Sequence, residues 1–243
     1  MQDKDNHAPR ESRAELPFLQ RAVDRRTMLR ATGLGGAALA VAACGEQTLS
    51  TAAGISSLRP VTVVLPGTVE LDFSKDVGVL NYAYALEQLE AAFYTQVVIT
   101  ANFIDRYSEN ERRVLIDLRD HEIVHREFFK AALAGAAIPD LTVDFSSIDF
   151  TSRISVLNNA RAFEDLGVGA YNGAAKYIAN AAYLAAAGKI VSVEARHASA
   201  IRDLLGNRTG NFAPDTFDLA LTPTVVLNQA DPFVVDTITA INT

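Results

Sequence analysis

Two short patterns carry the most chemistry in this chain, Glu122-x-x-His125 and Glu194-x-x-His197. A spacing of three residues puts a carboxylate and an imidazole side by side on one face of a helix. Each pair also sits within a row of apolar residues at helical steps: Leu115, Leu118, Glu122, His125 and Phe129 in one, Ile190, Glu194, His197 and Ile201 in the other. Both pairs are therefore predicted to face a core. An isolated Glu-x-x-His arises easily by chance, but here two of the three histidines after Cys44 have a Glu three residues earlier.

Two further rows supply matching acids. Leu80, Ala83, Glu87, Glu90 and Tyr94 share one helical face, and Leu157, Ala160, Glu164, Gly167 and Tyr171 share another. In each a Glu is followed seven residues later by a Tyr, so the two halves read as copies. A buried, ionised carboxylate is expensive unless it is paired or bound to a metal, and four converging on one point would repel one another. Two divalent cations balance four Glu and two neutral His. Oxygen and imidazole donors without thiolate suit iron or manganese better than a closed, tetrahedral structural zinc.

The elements that must position these residues follow from periodicity and caps. A first helix is predicted from Asp76 to about Asn102, and a second from the capping box Ser108/Glu111 to Gly135. Ile138-Pro139 ends it, and a polar crossover leads to Ser152, the expected cap of a third helix running to about Ala174. Levelling decides where the fourth helix begins. At ~1.5 Å per residue, a start at Asn180 brings Glu194 within about one turn of the height of Glu164, whereas a start at Gly188 does not. The predicted fold is all-α, a four-helix bundle over 76–205 with a long crossover between the second and third helices. Irregular straps are expected on either side, at 44–75 and 206–243.

With that pattern in hand, the chain resembles the ferritin-like di-iron carboxylate proteins, in which two helices give one Glu each and two give Glu-x-x-His. The recurrent Glu-x6-Tyr is similar to rubrerythrin and bacterioferritin helices. The phrases Leu86-Glu87-Gln88-Leu89-Glu90-Ala91-Ala92-Phe93-Tyr94 and Glu194-Ala195-Arg196-His197-Ala198 resemble the exported branch that includes desiccation-related proteins. The resemblance implies that Glu122 and Glu194 bridge two Fe or Mn ions, that Glu87 and Glu164 each close one end, and that His125 and His197 each bind one metal. Tyr94 and Tyr171 would hydrogen-bond the ligand carboxylates, and Glu90 could be an additional or alternative ligand. O₂ or peroxide, and Fe(II), are the implied small-molecule partners, and oxidation of Fe(II) or removal of peroxide is the implied activity.

Three other readings compete. His121-Glu122-Ile123-Val124-His125 satisfies the zinc-protease pattern, with Glu164 as a candidate third ligand. That reading leaves Glu87, Glu194 and His197 without a task. A bundle whose Glu and His residues face water would need both Glu-x-x-His pairs to be coincidental. A stress- or desiccation-related binding module without enzymatic activity would keep the metal as a structural staple.

The first 43 residues have a different character. They hold seven of the 22 Lys/Arg and five of the 29 Asp/Glu, and they end in the uncharged run Ala31 to Ala43. A basic start before an apolar run too short to span a bilayer has the layout of an export signal. Arg25-Arg26-Thr27-Met28-Leu29-Arg30 resembles the twin-arginine consensus, and Val41-Ala42-Ala43-Cys44 resembles a lipoprotein cleavage box. Together they imply export of a folded protein to the periplasm or cell surface, tethered to a membrane through lipidated Cys44. Cys44 is the only cysteine, so no internal disulfide can form. A net charge of -7 over 243 residues offers no basic stripe for phosphates, and no nucleic-acid partner is expected. A homodimer is an open assembly state.

Overall fold

The computed structural model describes residues 67–206 and 212–243. The twin-arginine segment, the cleavage box and Cys44 lie outside the described residues. The order of elements is β1 (Thr68–Asp72), α1 (Asp76–Ile99), a single-turn α2 (Phe103–Arg106), α3 (Glu109–Leu133), α4 (Arg153–Ala174), α5 (Ala181–Leu205), α6 (Pro223–Ala230) and β2 (Thr237–Ile241). The body is an all-α bundle. Helix α1 packs on α3 and α4 packs on α5, and the two pairs meet through α1 with α4 and α3 with α5. Among the described residues no helix is long and apolar enough to cross a membrane.

The helix ends follow their capping chemistry. Ser108 and Glu111 form the expected reciprocal capping box at the start of α3. Ser152 accepts from the Ser155 amide at the start of α4, and Asn180 accepts from the Ala182 amide at the start of α5. The fourth long helix thus begins where levelling of the carboxylates placed it. Helix α1 is shorter than predicted. It stops at Ile99, where the Thr100 hydroxyl donates to the Gln96 carbonyl and Asn102 turns into the left-handed region at φ 65°.

Helix α1 is buried without a break from Gly78 to Ala91 because α3, α4, the crossover and, at Gly78, the end of β1 cover it. A non-helical segment laid on a helix brings backbone groups that need partners. Two buried amides on α1, seven residues apart, supply them. Asn81 accepts from the Ile138 amide at 2.8 Å and donates to the Ala136 carbonyl at 2.9 Å. Gln88 accepts from the Leu141 amide at 2.7 Å and donates to the Pro139 carbonyl at 3.4 Å. The crossover then places Phe145 and Phe150 around Phe93, and Arg106 donates to the Phe150 carbonyl.

The expectation of irregular straps needs correction. Strand β1 pairs in parallel with β2, Thr68 opposite Thr237 through Asp72 opposite Ile241. Helix α6 is a regular element with Thr222 as cap and Pro223 in its first turn. The tail also docks on the bundle: the Leu221 amide donates to the Gly169 carbonyl, and a Cβ at Gly173 would lie 1.7 Å from the Leu221 oxygen. Only glycine at 173 allows that approach. The Asp236 carboxylate joins the flanking segments, accepting from the amides of Gly67 at 2.7 Å and Thr142 at 2.6 Å.

Candidate metal centre

All six residues predicted as ligands come together inside the bundle. Helix α1 brings Glu87, α3 brings Glu122 and His125, α4 brings Glu164, and α5 brings Glu194 and His197. The four carboxylates are completely buried and His197 is 3% exposed. They form two overlapping groups, each with its candidate donor atoms within 4.8 Å of one another: Glu87, Glu122, His125 and Glu194, and Glu122, Glu164, Glu194 and His197.

Atom by atom, the groups share two carboxylates. The His125 Nδ1 lies 3.4 Å from Glu87 Oε2, 3.3 Å from Glu122 Oε2 and 3.0 Å from Glu194 Oε1. The His197 Nδ1 lies 2.8 Å from Glu122 Oε1, 3.3 Å from Glu164 Oε2 and 3.4 Å from Glu194 Oε2. Glu122 and Glu194 therefore each turn one oxygen toward either histidine, and Glu87 and Glu164 close opposite ends.

The tyrosines cross between the halves. The Tyr94 hydroxyl of α1 donates to Glu164 Oε1 of α4 at 2.5 Å, and the Tyr171 hydroxyl of α4 donates to Glu87 Oε1 of α1. One oxygen of each terminal carboxylate is thereby fixed. The other, Oε2 in both, is buried with no hydrogen-bond partner, as are Glu122 Oε1, both oxygens of Glu194 and the Nδ1 of His197. These atoms lie near one another but are misaligned for hydrogen bonding, because they surround shared points instead of facing a partner. Six orphaned donor atoms in a dry interior fit a pair of cations, and oxygen-rich donors with one imidazole at each end fit hard or borderline metals.

The cluster's own electrostatics point the same way. Burial raises Glu87 well above the usual carboxylate range despite the nearby His125, and burial likewise raises Glu164 to about 8. Burial also works on Glu122, but the closely approaching His125 and His197 outweigh it and hold that carboxyl at about 2. Burial disfavours charge on His197, yet Glu164 and the other carboxylates around its Nδ1 raise it to about 12, and Glu87 and its neighbours raise His125 strongly. Carboxyls that resist ionising beside imidazoles that favour a proton mark a knot of buried acids that calls for nearby positive charge.

A family model described as "Ferritin-like domain" matches residues 75–207. The chain belongs to the ferritin-like family. No curated protein shows significant similarity to it. The ferritin-like match spans all four long helices and therefore every residue of the cluster.

Within this ferritin-like frame Glu90, expected as a possible additional ligand, lies outside both donor groups. It is a fifth buried acid, raised well above the carboxylate range first by burial and then by the surrounding carboxylates. Its counterpart at the same offset in the other half is Gly167, where a Cβ would lie 3.1 Å from Glu90 Oε1. The missing side chain at 167 leaves the space that Glu90 occupies. The equal offsets, Glu87 to Glu90 and Glu164 to Gly167, were the available signal.

His121 lies outside both donor groups. Its Nδ1 instead sits 2.8 Å from the Nε2 of His197, so the zinc-protease pairing of His121 with His125 does not form. One turn from Glu87 and His125, toward the far end of the bundle, an apolar cavity with about 20 Å³ of room for the centre of a water-sized molecule opens beside Tyr171. Leu80, Ala83, Leu86, Phe129 and Ala187 line it.

Proposed function

We propose that the protein is a dinuclear iron or manganese protein of the cell envelope that reacts with O₂ or peroxide, coupling that reaction to oxidation of Fe(II) or to peroxide removal. One observation carries the reading. Each terminal carboxylate has one oxygen tied by a tyrosine from the opposite half while its second oxygen is buried, unpartnered and turned toward the cluster. In this reading Glu87 and His125 would hold one metal, Glu164 and His197 would hold the other, and Glu122 and Glu194 would each contribute to both.

The bound pair would supply redox change and open coordination positions for an oxygen species. The chain's residues do the rest. Tyr94 and Tyr171 orient the terminal carboxylates, and burial raises both hydroxyls well above their ordinary value, so they remain donors. The apolar shell of Leu80, Ala83, Leu86 and Phe129 excludes bulk water, and the cavity beside Tyr171 suits a small apolar molecule such as O₂. Export and tethering through Cys44 are part of the proposal. Their support is the resemblance of Arg25-Arg26 and Val41 to Cys44 to a twin-arginine lipoprotein leader.

Metal analysis of protein folded in cells, followed by anaerobic loading with Fe(II) and exposure to O₂ or peroxide, tests this. About two metals per chain and oxidation faster than for free Fe(II) are expected. Fewer than one metal per chain overturns the metal reading. Full loading without faster oxidation overturns the oxidoreductase reading and leaves the metals as a structural staple.

A further inference from the structure

The two histidines of the cluster have different surroundings on the side facing away from the carboxylates. The His197 Nε2 meets the Nδ1 of His121 at 2.8 Å, with the two rings nearly parallel at 12° and their centroids 5.1 Å apart. His121 lies on α3, directly before Glu122, and is only half-buried. Among the described residues, hydrogen-bond and ion-pair partners of His125 involve its Nδ1, on the carboxylate side.

Tautomer logic fixes the direction of the His121 contact. Nδ1 of His197 faces three carboxylates, so a metal there takes its lone pair and leaves the ring proton on Nε2. That Nε2–H then donates to His121, whose Nδ1 must accept. An acceptor at the outer nitrogen locks the ring's orientation and raises the basicity of the ligating nitrogen, and loss of such a partner typically weakens metal affinity by about 10–100-fold.

We propose that His121 is a positioning residue for one metal only, the one held by Glu164 and His197, and that it makes the two metal positions unequal in affinity. The proposal rests on the dinuclear reading above. It gives a task to the histidine that the zinc-protease pattern singled out. It also places the inequality on α3 reaching across to α5, so the α1/α3 half tunes the metal of the α4/α5 half.

Two substitutions separate the hydrogen bond from the ring stacking. His121→Phe keeps a flat ring over His197 but has no acceptor, while His121→Asn loses the ring but places its side-chain oxygen near the position of Nδ1. The measurement is anaerobic titration of the full chain with Mn(II), free Mn(II) being read by its electron paramagnetic resonance signal. Anomalous diffraction from crystals grown with limiting Mn(II) identifies the position filled first. The wild type is expected to bind two Mn(II) in two steps. His121→Phe should weaken one step by about 10–100-fold and lower occupancy beside His197 and Glu164 alone, and His121→Asn should restore most of the loss.

Recovery by Phe and not by Asn would show that stacking matters and would overturn the proposal. Equal weakening of both steps, or no change in either, would also overturn it. A wild type that binds no Mn(II) and no Fe(II) would instead remove the dinuclear reading on which the proposal stands.

Discussion

The α1/α3 half and the α4/α5 half bring the same chemical kit, a Glu with a Tyr seven residues later on one helix and Glu-x-x-His on the next. Each half's tyrosine holds the other half's terminal carboxylate, and each half's Glu-x-x-His carboxylate shares its oxygens between both histidines. Neither half makes a site alone. The copies then depart from each other at two points: Glu90 stands where the second half has Gly167, and His121 supports His197. On the dinuclear reading, the reciprocal frame would account for a paired site and the departures for two positions that are not interchangeable.

The comparison breaks most visibly at the shared carboxylates. Glu122→Ala or Glu194→Ala removes a ligand from both positions and should reduce metal from about two per chain to well under one. Glu87→Ala or Glu164→Ala should leave about one. Elemental analysis of the four variants checks this, and equal losses in all four would mean that no carboxylate is shared.

Next in size are the crossed tyrosines. Tyr171→Phe frees Glu87 and Tyr94→Phe frees Glu164, so each should weaken a different metal by about 10–100-fold. Titration calorimetry with Mn(II) reads the effect. Were both variants to weaken the same step, the crossing would have no functional meaning.

A smaller effect appears in the pH dependence of stability. Glu164 rises from 4.5 in an ordinary environment to about 8 through burial. His197 rises from 6.5 to about 12, its carboxylates overriding burial. A group raised by folding stabilises fully below its unfolded pKa and loses that contribution as pH climbs through its folded one. Stability is therefore lost from about 4.5 to 8 through Glu164 and from about 6.5 to 12 through His197. Melting in chelator should occur at lower temperature at pH 8.5 than at pH 5.5. Since metals displace these protons, their stabilising effect should be larger at pH 8.5. A melting temperature in chelator that rises over this range would contradict the assignment of the protons.

The smallest effect is expected at the asymmetric pair. Gly167→Ala gains helix propensity, worth about 1 kcal/mol, but crowds the Glu90 carboxyl, so its stability should stay within about 1 kcal/mol of the wild type. Denaturant unfolding measures it. A much larger loss would show that Glu90 cannot shift at all.

The burial and convergence of the six clustered residues were legible in the sequence because helical periodicity reports faces, and a charged residue inside an apolar row is conspicuous. Leu118-x3-Glu122 and Ile190-x3-Glu194 announce buried acids before any coordinates. The start of α5 at Ala181 was legible only through the chemistry, since levelling Glu164 with Glu194 decided it where local breakers did not. Helix α6 was missed although Thr222-Pro223 is a regular helix start. Its helix is short, and three prolines in the tail masked the signal.

The pairing of β1 with β2 was less accessible. The alternation in Thr237-Ile238-Thr239-Ala240-Ile241 suggests a strand, but its partner lies across the whole bundle in the chain. The role of Asn81 and Gln88 was equally hidden, because nothing local says that a crossover will lie on α1. The place of His121 was hidden for a related reason: its spacing to His125 is that of a metal pair, the rival reading, and only tertiary placement shows it turned to the back of His197.

The central claim is that two cations sit between shared carboxylates. Anomalous diffraction at the iron and manganese edges, from crystals of protein loaded in the cell, tests it most directly. Two peaks are predicted, one among Glu87, His125, Glu122 and Glu194 and the other among Glu164, His197, Glu122 and Glu194. A single peak coordinated by His121 and His125, or no peak among these side chains, would contradict it.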